Sequence, residues 1–175
     1  MSGARPLPAR ATRVALVALA LIAATALLVA ALGAGHRARE LLGLRFAGPG
    51  GRPGDALQVA TTNLRLAGAA LIAAWAVRGR PQLRRPLDLT LAALGALNVA
   101  TTGVALGAYG DRLLGPVALH APLELGAFAV AGGAYLAARA GQPGAGRLAI
   151  ATGGAVVLVA AGAALETYVQ IGADR

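Results

Sequence analysis

Two ionisable residues stand four positions apart in a stretch that is otherwise apolar: His120 and Glu124, in the segment His-Ala-Pro-Leu-Glu. Ionisable side chains at membrane depth are costly, so a glutamate there is a functional-site candidate. If a helix runs through Pro122, the four-residue spacing places His120 and Glu124 on one face. If Pro122 instead opens the helix, Glu124 lies in the first turn, where the helix dipole favours a carboxylate. Both arrangements allow the two side chains to meet.

Other polar side chains stand inside separate apolar stretches and are expected to converge on this pair. Burying an unpaired charge at membrane depth costs on the order of several kcal/mol of free energy, and a partner of opposite charge reduces that cost. We therefore predict that Arg65 pairs with Glu124 and Glu166, while amides and the imidazole complete the hydrogen bonds. The predicted cluster consists of Asn63, Arg65, Asn98, His120, Glu124 and Glu166.

Three functions are open to such a cluster. Buried polar groups in membrane bundles commonly satisfy one another, which favours a structural lock that fixes helix rotation or docks a partner. A proton- or ion-coupled carrier or channel would use Glu124 and Glu166 as relays, although the chain shows no obvious inverted repeat.

An intramembrane hydrolase is the third interpretation. One histidine and two glutamates could hold a metal, and a glutamate could act as a general base, with His120, Glu124 and Glu166 in these roles. The sequence lacks an HExxH motif, however, and His36 is the only other histidine. We therefore predict a protein that is not an enzyme and that has no metal and no cofactor.

Composition indicates a multi-pass protein of the cell membrane. The chain has 175 residues, of which 57% are hydrophobic and 13% charged, whereas a soluble domain carries about a quarter charged residues. The net charge of +9 comes from arginines, which cluster at the ends of apolar runs, as in membrane proteins. Aromatic residues make up only 3% of the chain, so stacking platforms for nucleic acid are few and we expect no nucleic-acid partner. The absence of cysteine excludes disulfides and thiolate chemistry.

These apolar runs predict an all-α transmembrane bundle of about five spans. A basic N-terminus, 1–13, precedes the first run, which has about 20 apolar residues; a signal peptide has about 7–15, so we expect a retained span. The loop 36–56 carries a predicted amphipathic helix over His36–Phe46, and Gly110–Pro116 is a predicted tight turn. The predicted spans are 14–35, 57–77, 87–109, 117–138 and 148–169.

The arginine distribution predicts the orientation of these spans. With a cytoplasmic N-terminus, nine arginines lie on the inner side and six on the outer side, as the positive-inside rule expects. The second and fourth spans then run inward and the fifth runs outward. Asn63, Arg65, His120, Glu124 and Glu166 therefore fall at a similar depth in the outer half of the membrane, and Asn98 lies somewhat deeper.

Small residues are expected to mediate packing between spans, because lipid tails give helices no hydrophobic reason to associate. Gly95, Gly103 and Gly107 recur at spacings of four and eight residues on the third span, so one face could approach a neighbour closely. A chain rich in alanine and glycine also produces such spacings by chance, and we take chance as the explanation of any single pair.

Three stretches resemble the stage II sporulation protein M family of membrane proteins. Thr62–Ala67 (TNLRLA) is similar to the Asn-Asn-Leu-Arg opening of a helix in that family. The stretch from Leu97 through His120-Ala-Pro-Leu-Glu-Leu to Gly133 resembles its span with an asparagine, a turn, a His-Gly-x-x-Glu-Leu motif and a glycine-rich tail. Ala160–Thr167 (AAGAALET) resembles its closing segment with a glutamate. The resemblance covers roughly 58–169, with Ala121 in place of the motif glycine.

This resemblance implies a function. The sporulation member of the family is a membrane component of a complex with peptidoglycan hydrolases. The resemblance therefore implies a non-enzymatic membrane scaffold in cell-wall remodelling. Its expected partners are the lipid bilayer, other membrane or cell-wall proteins, and a second copy of the chain.

Overall fold

A computed structural model describes residues 6–43, 52–142 and 144–169, and every long element in these ranges is an α-helix. Five of the helices are long and apolar enough to cross a membrane: α1, α3, α4, α6 and α7. This confirms the predicted all-α bundle of five spans. A cytoplasmic N-terminus stays a prediction from the arginine count. The helices are α1 (Leu7–Ala31), α2 (Gly35–Leu42), α3 (Pro53–Ala76), α4 (Arg84–Tyr109), α5 (Asp111–Ala118), α6 (Ala121–Arg139) and α7 (Ala145–Tyr168).

The first span begins earlier than its apolar run. Helix α1 starts at Leu7 rather than at the predicted residue 14, with Pro8 in its first turn, where a proline is readily accepted. It ends at Ala31, and Gly33 then adopts a φ of +60° that turns the chain into α2. Helix α2 covers the first part of the predicted amphipathic helix. The rest of that prediction, residues 44–46, lies outside the described residues.

The region before the fourth span differs from the prediction. Gly110–Pro116 is not a tight turn, because α5 occupies Asp111–Ala118. Gly110, with a φ of +55°, ends α4, and Asp111 in the first turn of the next helix interacts favourably with the helix dipole. The fourth span therefore begins at Ala121 rather than at residue 117.

Helix α6 lies at the centre of the bundle and contacts α1, α3 and α7. Helix α4 lies at the edge and packs mainly against α1. The side chains buried between α3, α6 and α7 are mostly alanines, which let the helix backbones come close together. The fully buried members of this core include Ala74, Ala127, Ala131, Ala134, Leu148 and Val159.

Glycines bring α1 into direct contact with α4 and α6. A Cβ placed on Gly107 of α4 would lie 2.5 Å from the carbonyl oxygen of Ala26, and one on Gly103 would lie 2.7 Å from Cβ of Thr25. On α6, a Cβ on Gly133 would lie 2.9 Å from the backbone nitrogen of Ala11. Gly103 and Gly107 therefore make the predicted close approach, and chance does not explain this pair. Gly95, predicted on the same face, takes no part, because no described atom lies within 4 Å of a Cβ there.

A polar network joins α4 to α6 at the C-terminal end of α6. The Tyr135 hydroxyl donates to Oδ1 of Asp88 at 2.8 Å, and Nε of Arg139 donates to Oδ2 of Asp88 at 2.9 Å. Arg10 of α1 donates to the carbonyl oxygen of Leu136 at the same end. We call this part of the bundle the Asp88 end. Its hydrogen bonds fix the ends of three helices relative to one another.

We predict that Gly107→Ala destabilises the protein. The added methyl group collides with backbone and side-chain atoms of α1, and overpacking of this kind costs about 1–3 kcal/mol. Thermal unfolding of the purified protein in mild detergent measures the effect.

Gly95→Ala on the same helix is the matched control. Nothing lies within 4 Å of a Cβ at Gly95, and replacing a helical glycine by alanine favours the helix by up to about 1 kcal/mol. Equal shifts in melting temperature for Gly95→Ala and Gly107→Ala would contradict the described contact of α1 with α4.

Candidate functional site

The site forms where the first turn of α6 meets the last turn of α7. His120 immediately precedes α6, Pro122 occupies its first turn, and Glu124 lies in that same turn. Of the two arrangements that the sequence left open, the helix therefore opens at the proline instead of running through it. Glu124 lies where the dipole of α6 favours a negative charge. Glu166 lies close to the C-terminal end of α7.

Four side chains from three helices meet here, and we call them the His–Glu cluster: Asn63, His120, Glu124 and Glu166. The amide nitrogen of Asn63 donates a hydrogen bond to Oε1 of Glu124. Nε2 of His120 lies 3.9 Å from Oε2 of Glu166. One potential ligand atom from each of His120, Glu124 and Glu166 lies within 4.8 Å of the other two. The structure thus brings together four of the six predicted residues.

The cluster is largely withdrawn from the protein surface. His120 is buried, with 8% of its surface exposed, and the other three residues are half-buried. Gly162 of α7 makes this close approach feasible, because a Cβ there would lie 3.1 Å from Cγ of Glu124. A side chain at this position would push Glu124 aside.

Two buried polar atoms near the end of α7 have no hydrogen-bond partner among the residues that the structure describes. They are Nδ1 of His120 and Oγ1 of Thr167, and Thr167 is completely buried. Sequence reasoning missed Thr167, because a threonine beside a glutamate at the end of a span carries no signal of its own. Most buried polar atoms in proteins are paired, so each exception calls for an explanation.

Arg65 does not join the cluster, and its predicted ion pairs with Glu124 and Glu166 do not form. Its side chain is exposed, and among the described residues it forms no ion pair. The reason is helical geometry: residues two positions apart do not face the same neighbour. Since Asn63 faces α6, Arg65 points to another side of α3.

Arg65 instead borders a groove between α3 and α7 with a volume of about 370 Å³. Leu57 and Thr61, which line the same groove, precede Arg65 by two turns and one turn of α3. Helical side chains lean toward the N-terminus of their helix, so the guanidinium group is directed along these residues. This direction leads toward the headgroups if the cluster lies in the outer half of the membrane, and a long basic side chain can reach them by snorkelling.

Asn98 also lies apart from the cluster. Its side chain is exposed on α4, and its backbone carbonyl accepts a hydrogen bond from Thr102 at 2.9 Å. Helix α4 packs against α1 instead of against α7, so the position of Asn98 along its span does not bring it to Glu166. The sequence prediction rested on the position of Asn98 along its span and had no information on which helices are neighbours.

Comparison with known proteins does not assign the site. No protein-family model, no curated protein and no solved structure matches the chain. Its chemistry is therefore argued from its own geometry. Two carboxylates and an imidazole without an arginine can share protons with one another or hold a cation.

We predict that Asn63→Leu destabilises the bundle. The substitution removes the amide that donates to Glu124, and a half-buried carboxylate that loses its donor costs about 1–3 kcal/mol. The measurement is the melting temperature in mild detergent. Thr62→Val is the matched control, because the Thr62 hydroxyl donates to the carbonyl oxygen of Gln58 within α3 and not to another helix described in the structure.

Arg65→Leu separates the observed site from the one expected from sequence. Because Arg65 forms no ion pair with Glu124 or Glu166, the substitution should leave the melting temperature in detergent unchanged. A loss as large as that of Asn63→Leu would show that Arg65 does neutralise the carboxylates.

Proposed function

We propose that the chain is an integral membrane scaffold without catalytic activity, acting in a cell-wall (peptidoglycan) remodelling complex. The observation that supports this most directly is where the residues of the resemblance lie. Asn63 comes from the first of the three stretches that resemble the stage II sporulation protein M family, His120 and Glu124 from the second, and Glu166 from the third. Asn63 and Glu124 are 61 positions apart and hydrogen-bonded. Convergence of these motif residues is what a shared architecture would produce.

The contacts of the bundle suit a protein that presents a fixed surface. The His–Glu cluster joins α3, α6 and α7 at one end. At the opposite end of α6, Asp88 joins α4 to α6. Helices held at both ends keep their rotation and register, which a docking platform requires.

The interior between these two ends supports a scaffold more than a proton or ion relay. The buried residues that connect them are apolar apart from Tyr135, whose hydroxyl already donates to Asp88. A relay across the membrane needs ionisable or hydrated groups along its path, and apart from Tyr135 the buried core of the described residues is made of alanine, leucine and valine.

The cluster end is the proposed docking surface. Helix α3 begins at Pro53, so the part before Asn63 extends about 15 Å past the cluster, at 1.5 Å per residue. Helices α5 and α2 lie at the same end, because α5 directly follows α4 and Arg39 of α2 donates a hydrogen bond to the carbonyl oxygen of Ala108 near the C-terminal end of α4. With a cytoplasmic N-terminus this end faces the cell wall, where peptidoglycan enzymes act.

Affinity purification from native membranes tests the proposal. The full chain, tagged and extracted in mild detergent, is expected to retain cell-wall hydrolases or their membrane partners. Glu124→Gln should reduce their recovery several-fold, because it weakens the contact of α6 with α3 and so disturbs the docking surface. Mass spectrometry of the eluates measures this recovery.

Arg147→Gln is the matched control, because Arg147 is an exposed charged side chain in the first turn of α7, at the Asp88 end of the bundle and away from the proposed docking surface. Recovery without any cell-wall protein would contradict the scaffold. Purified protein in liposomes provides a second check: movement of protons or ions that Glu166→Gln abolishes would assign the same carboxylates to a carrier instead.

A further inference from the structure

The geometry of the His–Glu cluster points to a bound metal ion. We propose that His120, Glu124 and Glu166 form a site for one divalent transition-metal ion of the zinc class, which joins the start of α6 to the end of α7. The inference rests on the proposed function in one respect: both take the His–Glu cluster to be the element that holds α3, α6 and α7 in fixed positions. Its test measures metal and needs no partner protein.

The types of ligand atom in the His–Glu cluster favour zinc over calcium and magnesium. Zinc binds imidazole nitrogen and carboxylate oxygen in sites with three protein ligands and one open position. Calcium and magnesium prefer ligands that are all oxygen, so the imidazole of His120 argues against them. Asn63 holds one oxygen of Glu124, as residues around a metal site commonly orient its ligands.

The distances allow an ion with small side-chain rotations. In a tetrahedral zinc site with bonds of about 2.0–2.2 Å, ligand atoms lie roughly 3.3–3.6 Å apart. The three ligand atoms here lie within 4.8 Å of one another, and His120 Nε2 is 3.9 Å from Glu166 Oε2. Torsions of the two glutamate side chains can close the remaining gap without moving a helix.

The charges of the cluster call for a cation. Arg65, the only basic residue in the membrane-length part of α3, faces away from the cluster. Glu124 has the favourable dipole of the α6 N-terminus, but Glu166 lies near the C-terminus of α7, where the dipole disfavours a carboxylate. Two carboxylates held close together in this position repel each other unless a proton or a cation lies between them.

The imidazole of His120 provides independent evidence for a ligand. Its side chain is nine-tenths buried, with 10% exposed, and Nδ1 has no hydrogen-bond partner within the described part of the chain. Nε2 faces Glu166 at 3.9 Å, beyond hydrogen-bond distance. A buried imidazole without a hydrogen bond is costly, and coordination of a metal by the ring would offset that cost.

Metal analysis of the full-length protein tests the inference. The protein carries a tag without histidine, is stripped with a chelator, is incubated with Zn²⁺ and is desalted in mild detergent. We expect about one zinc per chain by inductively coupled plasma mass spectrometry, together with a higher melting temperature in Zn²⁺ than in chelator. Glu124→Gln and Glu166→Gln should each weaken zinc binding at least tenfold in competition with a fluorescent chelator, because each removes a charged ligand.

The double variant His36→Ala/Glu40→Gln is the matched control. It removes the other histidine and its neighbouring carboxylate, which lie 3.4 Å apart on α2 and are exposed, and it should bind zinc as the unmodified chain does. Loss of zinc in this variant would place the metal on α2 and overturn the proposal. So would zinc content no higher than that of protein-free detergent, or unchanged affinity in both glutamate variants.

Cobalt spectroscopy keeps the test decisive if a glutamate variant does not fold. Co²⁺ bound to the unmodified chain should give the intense visible absorption of a tetrahedral site, and equimolar Zn²⁺ should remove it. Weak absorption typical of hydrated cobalt would overturn the proposal. Failure of the scaffold would appear as absent partner recovery with normal zinc binding, whereas failure of the metal site would appear as absent zinc with normal recovery.

Discussion

The structure depends on one constraint: a carboxylate that lies among membrane-length apolar helices needs contacts that stabilise its charge. Glu124 meets it by lying in the first turn of α6, where the helix dipole is favourable, and by accepting a hydrogen bond from Asn63. Both contributions need the helices in one arrangement: α6 must begin at Ala121, and α3 must turn Asn63 toward it. The requirement of one polar group thereby fixes the relative rotation of two spans.

The apolar part of the bundle makes this arrangement attainable through small residues. Gly162 lets the end of α7 approach Glu124, and Gly103 and Gly107 let α4 lie against α1. Lipid tails are about as apolar as the side chains that face them, so the hydrophobic effect does not drive membrane helices together. Close packing and polar contacts hold the helices together instead. Helix α6 contacts three other spans. The alanine-rich core allows close packing along α6, and the polar contacts at its two ends add to the stability of that packing.

Local patterns account for what sequence reasoning predicted well. Long apolar runs gave the five membrane-length helices, and the mismatch between a polar side chain and its apolar surroundings singled out Asn63, His120, Glu124 and Glu166. The errors concern Arg65, Asn98, the turn predicted at Gly110–Pro116 and the starts of the first and fourth spans. The error at Arg65 was avoidable, because a two-residue offset from Asn63 turns it away from the same neighbour. The error at Asn98 was not, because which spans are neighbours depends on packing between α1 and α4.

The sequence by itself determined a bundle of five membrane-length helices with polar residues inside apolar runs, because hydropathy and spacing along a single helix are local properties of the chain. Only the tertiary structure decided which of those residues meet. Membrane helices associate through the fit of their surfaces, and that fit placed α7 beside α6 and left α4 at the edge. Two carboxylates and an imidazole thus share one site, while the arginine expected to neutralise them lies on another face.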